Sequence, residues 1–291
     1  MKASCNAYAK INLFLDIESR RSDGYHNILS HMQSITLHDV VNVEYIPADD
    51  KSIVVSCDDS DIPCDKRNLA YKAADIFPIK SGTIKIHIQK NIPMSAGLAG
   101  GSTDAAATLL ALNSMFDEML SLDELKALGN NLGADVPFCI EKGACITRGT
   151  GEIIQKTTCL PAFPILIAKH GEGMSTPQAY AELDKKYNNF VNYTTNVDCF
   201  NKLLEDCELP SVEPSFAVFN IFESVVEPKR PFVTFIKNVM NKNCAVASMM
   251  SGSGTSVFGI FKSEADAQKA KSQLASQNIK SYICYPYNNE K

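Results

Sequence analysis

Residues 93–106 read PMSAGLAGGSTDAA, a glycine-rich run that lies between a strand pattern and a helix pattern. Before it, Ile84, Ile86 and Ile88 alternate with polar residues, which predicts a half-buried strand. After it, apolar residues recur at helical spacing over 105–116. A strand that leads through small residues into a helix leaves backbone N–H groups free at the positive end of the helix dipole. The run therefore predicts a phosphate-binding loop.

The common phosphate-binding and kinase motifs are missing from the sequence. It contains no Walker loop, and no Gly-x-Gly-x-x-Gly follows a strand. The His-Arg-Asp and Asp-Phe-Gly motifs of protein kinases are also absent. The alternative interpretation of the glycine run is a tight structural turn in which Ser102 or Thr103 only caps the helix.

Three segments resemble the motifs of the GHMP kinases, a family of small-molecule kinases, and they occur in the family's order. The glycine run is similar to the second motif, AKINLFL at 9–15 to the first, and MSGSGTSVFG at 250–259 to the third. The resemblance covers most of the chain and implies an α+β fold, with two domains and an active site in the cleft between them. We expect the N-terminal domain over 1–160 and the C-terminal domain over 161–291, because two prolines near residue 160 interrupt the helix and strand patterns.

Periodicity predicts further elements in the C-terminal half of the chain. Strands are expected over 165–168, 256–261 and 281–285, and a helix over 264–277. Strands and helices are mixed rather than strictly alternating, which favours an α+β arrangement.

Two more segments narrow the resemblance within the family. RSDGYH at 21–26 and GADVPF at 133–138 are similar to the branch that uses ATP to phosphorylate the 2-hydroxyl of a CDP-linked methylerythritol, in the non-mevalonate route to isoprenoids. The resemblance implies ATP and Mg²⁺ as cofactors and a CDP-linked small molecule as the substrate. Two alternatives stay open: another GHMP kinase of the mevalonate or homoserine type, and a noncatalytic ligand sensor with the same fold.

Lys10 and Asp135 are the catalytic candidates. Apolar residues alternate along 10–17, which places Lys10 and Asn12 together on the other face of a strand. The resemblance makes Asp135 the general base, and pairing with Lys10 would keep its carboxylate ionised. The competing interpretations are a solvated lysine at a strand end and an aspartate that only caps a short helix.

The glycine run supplies the expected ATP contacts, and the third motif is expected to close over the nucleotide through Gly252, Ser253 and Gly254. The expected ATP-binding residues are Pro93, Met94, Ser95, Ala96, Gly97, Leu98, Ala99, Gly100, Gly101, Ser102 and Thr103. The Ser102 hydroxyl is also the candidate Mg²⁺ ligand. Ala99 departs from the family's glycines, and because alanine disfavours positive φ, the path of the loop is left open.

Five residues are expected to bind the substrate: Asn12, Tyr25, His26, Thr176 and Tyr180. The two tyrosines would stack on the cytosine ring, and His26 would form a hydrogen bond with its edge. The alternative is that both tyrosines are ordinary packing or surface residues.

The composition favours a small-molecule enzyme. The 291 residues are 45% hydrophobic and carry a net charge of −5, whereas nucleic-acid binders usually have a basic excess, so no nucleic-acid partner is expected. No apolar run approaches roughly 18 residues, so we expect no membrane association. The ten cysteines lack the close spacing of zinc ligands, which favours reduced thiols in a cytoplasmic protein. We expect a monomer or weak homodimer.

Overall fold

The computed structural model describes residues 1–190, 196–208 and 216–288. The strands are β1 (Lys2–Arg20), β2 (His26–Ile46), β3 (Lys51–Cys57), β4 (Gly82–Gln89), β5 (Ala144–Arg148), β6 (Ile153–Lys156), β7 (Ile165–Lys169), β8 (Phe219–Asn220), β9 (Ala245–Met250), β10 (Val257–Phe261) and β11 (Lys280–Cys284). The α-helices are α1 (Leu69–Ile76), α2 (Gly100–Met115), α3 (Leu122–Asn130), α4 (Val136–Glu141), α5 (Thr176–Lys186), α6 (Val197–Glu208), α7 (Glu223–Val226), α8 (Pro231–Lys242) and α9 (Glu264–Ala275).

The chain folds into two compact units that are interleaved along the sequence. The first unit comprises Met1–Ala9, Leu37–Pro93 and Ala99–Lys142, and the second comprises Lys10–Thr36, Met94–Leu98 and Gly143–Lys291. The long strands β1 and β2 each contribute residues to both units. These compact units are not the continuous segments 1–160 and 161–291 that the sequence analysis gives as domains. Those domain boundaries stay a prediction.

The first unit places the glycine run after the strand that the sequence predicts. In β4 the side chains of Ile84, Ile86 and Ile88 are buried and alternate with more exposed ones, which confirms the period-two prediction. β4 pairs antiparallel with β2 on one side and parallel with β3 on the other. The chain then passes through the glycine run into α2, as the helical spacing predicts.

The start of α2 differs from the capping alternative. The N-cap residue is Ala99, which adopts a left-handed conformation with φ +59° and makes no side-chain capping bond. Thr103 instead donates from its hydroxyl to the carbonyl of Gly100 at 2.8 Å. The interpretation of Ser102 or Thr103 as the helix cap is therefore wrong. The positive φ, which alanine disfavours, belongs to Ala99, the residue that replaces one of the family's glycines.

The second unit contains a four-stranded antiparallel sheet in the order β11-β7-β10-β9. The predicted strands at 165–168, 256–261 and 281–285 and the predicted helix at 264–277 are confirmed to within two residues as β7, β10, β11 and α9. Buried side chains of α5, α8 and α9 pack with the sheet in one apolar cluster, which includes Leu183, Ile236, Leu274 and Phe261.

The remaining strands of the second unit pair with β1, with β2 or with each other. β1 pairs parallel with the short β8, with Phe14 opposite Phe219. β2 pairs antiparallel with β5, which pairs in turn with β6. None of the helices within 1–190, 196–208 and 216–288 combines the length and the hydropathy that a bilayer crossing requires.

Replacing Ala99 with glycine is expected to stabilise the protein by about 0.5–1 kcal/mol. Glycine relieves the steric cost of the left-handed conformation, of about 1–2 kcal/mol, and this gain is partly offset by its larger entropy in the unfolded chain. The free energy of unfolding from urea denaturation measures the effect. Ala107→Gly, at a buried position inside the same helix, is the control and is expected to destabilise. A loss of stability in Ala99→Gly equal to that of the control contradicts the assigned backbone conformation.

Candidate active site

Lys10 is buried on β1 and held by a short polar network. Only 4% of its surface is exposed, and its ammonium donates to Asn12 Oδ1 at 2.6 Å. Asn12 Nδ2 donates to the hydroxyl of Ser30 at 2.9 Å, and that hydroxyl donates to the carbonyl of Phe14 at 2.6 Å. The interpretation of Lys10 as a solvated lysine is therefore wrong. An ammonium has three donors, so the bond to Asn12 orients Lys10 and leaves donors for a ligand.

The Ser251 hydroxyl connects segments of all three sequence motifs within the second unit. It donates to the carbonyl of Gly97 at 3.0 Å and accepts the backbone N–H of Asn12 at 3.4 Å. Next to it, the backbone N–H of Lys10 donates to the carbonyl of Leu98 at 3.2 Å. The 94–98 part of the glycine run is thus bonded to both the first and the third motif.

Gly97 lacks a side chain because the third motif lies against it. Its φ is +72°, and a Cβ atom there would lie 2.0 Å from the carbonyl oxygen of Ser251. Gly252 has a φ of +58°, and a Cβ there would lie 2.9 Å from the carbonyl oxygen of Gly97. Glycine at these two positions permits close approach of two backbones as well as positive φ.

Two residues that the sequence analysis missed hold the third motif in place. Asn220 donates from Nδ2 to the carbonyls of Met250 and Gly252, both at 2.8 Å. Glu223 Oε1 accepts the backbone N–H of Met250 at 2.8 Å, and its other oxygen accepts from Lys237 at 2.7 Å. Burial raises the pKa of Glu223, although the nearby ammonium opposes that shift. No local sequence pattern marks these residues, because they lie about 30 positions from the motif.

A buried ionic cluster of Asp39, Lys90 and Asp104 brings together the two ends of the glycine run in the first unit. Lys90 donates to Asp39 and, at 2.8 Å, to Asp104 Oδ2. Asp39 Oδ1 also accepts the backbone N–H groups of Asn91 and Ile92. Burial raises the pKa of Asp104 to about 7, with Asp39 adding to the shift and Lys90 opposing it. Asp104 belongs to the glycine run, but no local sequence pattern marks its two partners.

Asp135 occupies the N-cap position of α4 without capping it. Its backbone carbonyl accepts the N–H of Cys139 at 3.0 Å, but its side chain makes no capping hydrogen bond. Pro137 follows in the first turn of the helix, where a missing N–H costs nothing. Asp135 therefore stands at the N-cap position, as the capping interpretation expects, but its side chain does not cap the helix. The residue is half-buried, and its carboxylate makes no hydrogen bond to the N-terminus of α4.

The structure brings together some of the predicted substrate residues. The rings of His26 and Tyr180 stack with centroids 4.8 Å apart. The hydroxyls of Thr176 and Ser253 lie 2.9 Å apart, which joins a predicted substrate residue to the third motif. Tyr25 is 67% exposed. Tyr180 also packs edge-on against Phe222, which is the kind of contact that the packing interpretation describes.

The described residues offer little for a metal ion on their own. Within 1–190, 196–208 and 216–288, no group of three or more His, Cys, Asp or Glu side chains is placed to hold one. Mg²⁺ usually keeps several waters and binds through one or two protein groups plus substrate phosphates, so a protein cage is not required. The Ser102 hydroxyl is half-buried and has no hydrogen-bond partner in the part of the chain that the structure describes.

A glycine run before a helix, bonded to a second glycine loop, is an arrangement that can bind phosphate. The family model for the GHMP kinases N terminal domain matches residues 68–143, and the model for GHMP kinases C terminal matches residues 195–280. The chain belongs to the GHMP kinase family, which confirms the resemblance of the three motifs and the expected α+β fold.

Similar proteins include several named 4-diphosphocytidyl-2-C-methyl-D-erythritol kinase. One from Caldicellulosiruptor saccharolyticus is 43% identical over 92% of this chain and 91% of its own length. Another from Clostridioides difficile is 42% identical over 94% of this chain and 92% of its own length. A crystal structure of 4-(cytidine 5'-diphospho)-2C-methyl-D-erythritol kinase matches with a TM-score of 0.80 and 28% identity, covering 98% of this chain and all of that one. A homoserine kinase structure from Cytophaga hutchinsonii shares the fold with a TM-score of 0.74 at 17% identity, covering 100% of this chain and 96% of that one.

Replacing Gly97 with alanine is expected to destabilise the protein by about 3 kcal/mol or more, since the added methyl meets a backbone oxygen and the φ is strained. Gly101→Ala is the matched control, because its Cβ would make only an ordinary contact with Leu69 at 3.6 Å. Chemical denaturation of both variants measures the difference. Equal stability of the two variants contradicts the close approach of Gly97 and Ser251.

Asp104→Asn is expected to change how stability depends on pH. The folded-state pKa of about 7 lies above the ordinary 3.8, so the contribution of Asp104 is fully present below about pH 4 and is lost as pH rises to about 7. The free energy of unfolding of the wild type, relative to the variant, should therefore fall by more than about 1 kcal/mol across that range. Denaturation at a series of pH values measures it. A difference that rises with pH contradicts the assignment.

Proposed function

We propose that this chain uses ATP to phosphorylate the 2-hydroxyl of 4-diphosphocytidyl-2-C-methyl-D-erythritol, giving the 2-phosphate and ADP in the non-mevalonate route to isoprenoid precursors. The observation that carries the proposal is identity above 40% over more than nine-tenths of the chain with relatives of that name. The homoserine kinase likeness supports only the shared fold.

The proposed nucleotide contacts are residues 93–103 together with Gly252, Ser253 and Gly254. The glycine run leads into the N-terminus of α2, where backbone N–H groups and the helix dipole favour an anion. The Ser251 bonds support a loop of fixed shape, because they tie residues 94–98 to the third motif. A preformed loop reduces the entropy lost when phosphates bind.

Mg²⁺ fits the residues present. The Ser102 hydroxyl, without a hydrogen bond in the described part of the chain, would hold the ion together with ATP. When bound, the ion supplies positive charge that offsets the charge on the transferring phosphoryl group. Asp104, at the start of α2, forms an ion pair with Lys90. This pairing reduces the repulsion between its carboxylate and a bound phosphate.

The proposed chemistry uses two side chains. Asp135 accepts the proton of the substrate hydroxyl, which is consistent with a carboxylate that does not cap its helix. Lys10 stabilises the negative charge that develops on the attacking oxygen, and Asn12 orients it through the 2.6 Å hydrogen bond. Removing the base from a reaction of this kind typically lowers the rate about 10²–10⁴-fold.

The proposed substrate contacts are Asn12, Tyr25, His26, Thr176 and Tyr180. The exposed face of Tyr25 offers a surface on which a base can stack, and Tyr180 already lies against His26. We infer a small-molecule partner only, and a monomer or weak homodimer stays a prediction.

ADP release by the purified protein tests the proposal. Mg-ATP is supplied with CDP-linked methylerythritol, mevalonate, homoserine or galactose in separate reactions. Release with the cytidine compound alone is the expected result. Release with another acceptor contradicts the proposed substrate but keeps the kinase, and ATP binding without release in all four reactions favours a ligand sensor.

Asp135→Asn is expected to lower the turnover number about 10²–10⁴-fold while ATP affinity changes little, since the base acts on the acceptor. Asp123→Asn is the control, because Asp123 is exposed on α3 and forms an ion pair with Lys126. Steady-state rates and nucleotide titrations measure both. Turnover by Asp135→Asn at the control's rate contradicts the assignment of the base.

A further inference from the structure

One face of α5 holds the ring of His26 in a fixed position. Tyr180 and Asp184 are four residues apart on this helix and therefore lie on the same face. Tyr180 stacks on the imidazole, and Asp184 Oδ1 lies 2.7 Å from His26 Nε2. Phe190 packs edge-on against the same imidazole at 5.5 Å. The imidazole, with only 4% of its side chain exposed, is restrained on several sides.

The contact with Asp184 determines which nitrogen of His26 carries the proton. An ionised carboxylate can only accept hydrogen bonds, so the nitrogen that faces it must donate. The other carboxylate oxygen of Asp184 lies 3.5 Å from the guanidinium of Arg20, so the two side chains form an ion pair. In neutral His26 the proton is therefore on Nε2, and Nδ1 is left as an acceptor. Nδ1 has no hydrogen-bond partner among residues 1–190, 196–208 and 216–288.

We propose that Asp184 is a positioning residue that sets base specificity through His26. By holding the proton on Nε2, it makes Nδ1 an acceptor for the exocyclic amino group of a cytosine ring. This inference rests on the proposed function, in which His26 contacts the base, and adds a residue that none of the three sequence motifs includes.

The selectivity follows from the groups that each base presents. Cytosine carries an amino donor at position 4, whereas uracil carries a carbonyl acceptor at the same position. The acceptor nitrogen Nδ1 can accept a hydrogen bond from the amino group of cytosine. It can form none with the carbonyl oxygen of uracil, which is also an acceptor. A buried polar group left without a partner typically costs enough to lower affinity about 10- to 100-fold. The site should therefore prefer CDP-linked over UDP-linked substrate by about that factor.

Asp184→Asn tests the inference, because the amide can donate to Nε2 and so allow the proton to move to Nδ1. Glu182→Gln is the matched control: it makes the same chemical change two residues away, where the carboxylate forms ion pairs with Lys185 and Lys229. The measurements are kcat/KM for the CDP- and UDP-linked alcohols and the ¹⁵N NMR shifts of the His26 ring, assigned with His26→Gln.

The expected result is a wild-type CDP preference of about 10-fold or more that falls at least about 5-fold in Asp184→Asn and is kept in Glu182→Gln. The KM for ATP should not change, and the ¹⁵N spectrum should show the Nε2–H form in the wild type and its loss in Asp184→Asn. A wild-type spectrum with the proton on Nδ1, or a preference that survives in Asp184→Asn, overturns the inference.

Failure of the proposed function gives a different pattern. If the wild type phosphorylates neither the CDP-linked nor the UDP-linked alcohol, the kinase assignment fails. The base preference is then measured from the affinities for CDP and UDP, by calorimetry, in place of kcat/KM. CDP preference that depends on Asp184 then supports the inference independently of turnover, and equal binding of the two nucleotides by the wild type overturns it.

Discussion

The close approach of Gly97 to Ser251 is the constraint on which the candidate site depends. There the backbone of the glycine run lies so near the third motif that a single methyl group would meet a carbonyl oxygen at 2.0 Å. The Ser251 hydroxyl uses the same proximity to bond both Gly97 and the backbone of Asn12. Asn12 in turn orients Lys10, so the position of the catalytic candidate is linked to the shape of the glycine run.

Electrostatics explain how a chain with a net charge of −5 can bind an anionic nucleotide. In the first unit, the buried ammonium of Lys90 lies between the carboxyl groups of Asp39 and Asp104 and offsets part of the negative charge beside the glycine run. The N-terminus of α2 therefore keeps its positive dipole for a ligand. Lys10, whose ammonium bonds a neutral amide rather than a carboxylate, keeps its charge available. Attraction is local and does not need a basic surface.

Local patterns in the sequence predicted much of the fold and drew attention to several residues of the candidate site. The alternation through Ile86 and the helical spacing after the glycine run depend on neighbours within a few residues, so periodicity reveals them. The partners of those residues are different, because Asp184 is 158 positions from His26 and Asn220 is 30 from Met250. Such contacts arise only when distant segments pack. The conformation of Ala99 was left open because the local preference of alanine disfavours the positive φ that it adopts.

The affinity of Ser251→Ala for ATP, measured by isothermal titration calorimetry, tests the central claim most directly. The variant removes one hydroxyl and leaves every glycine in place, and a thermal unfolding curve shows whether the fold is kept. Because the hydroxyl fixes the loop that is proposed to bind phosphate, affinity should fall about 10-fold or more in a folded protein. Wild-type affinity in the folded variant would show that ATP binding does not depend on the Ser251 bonds that join the three motifs.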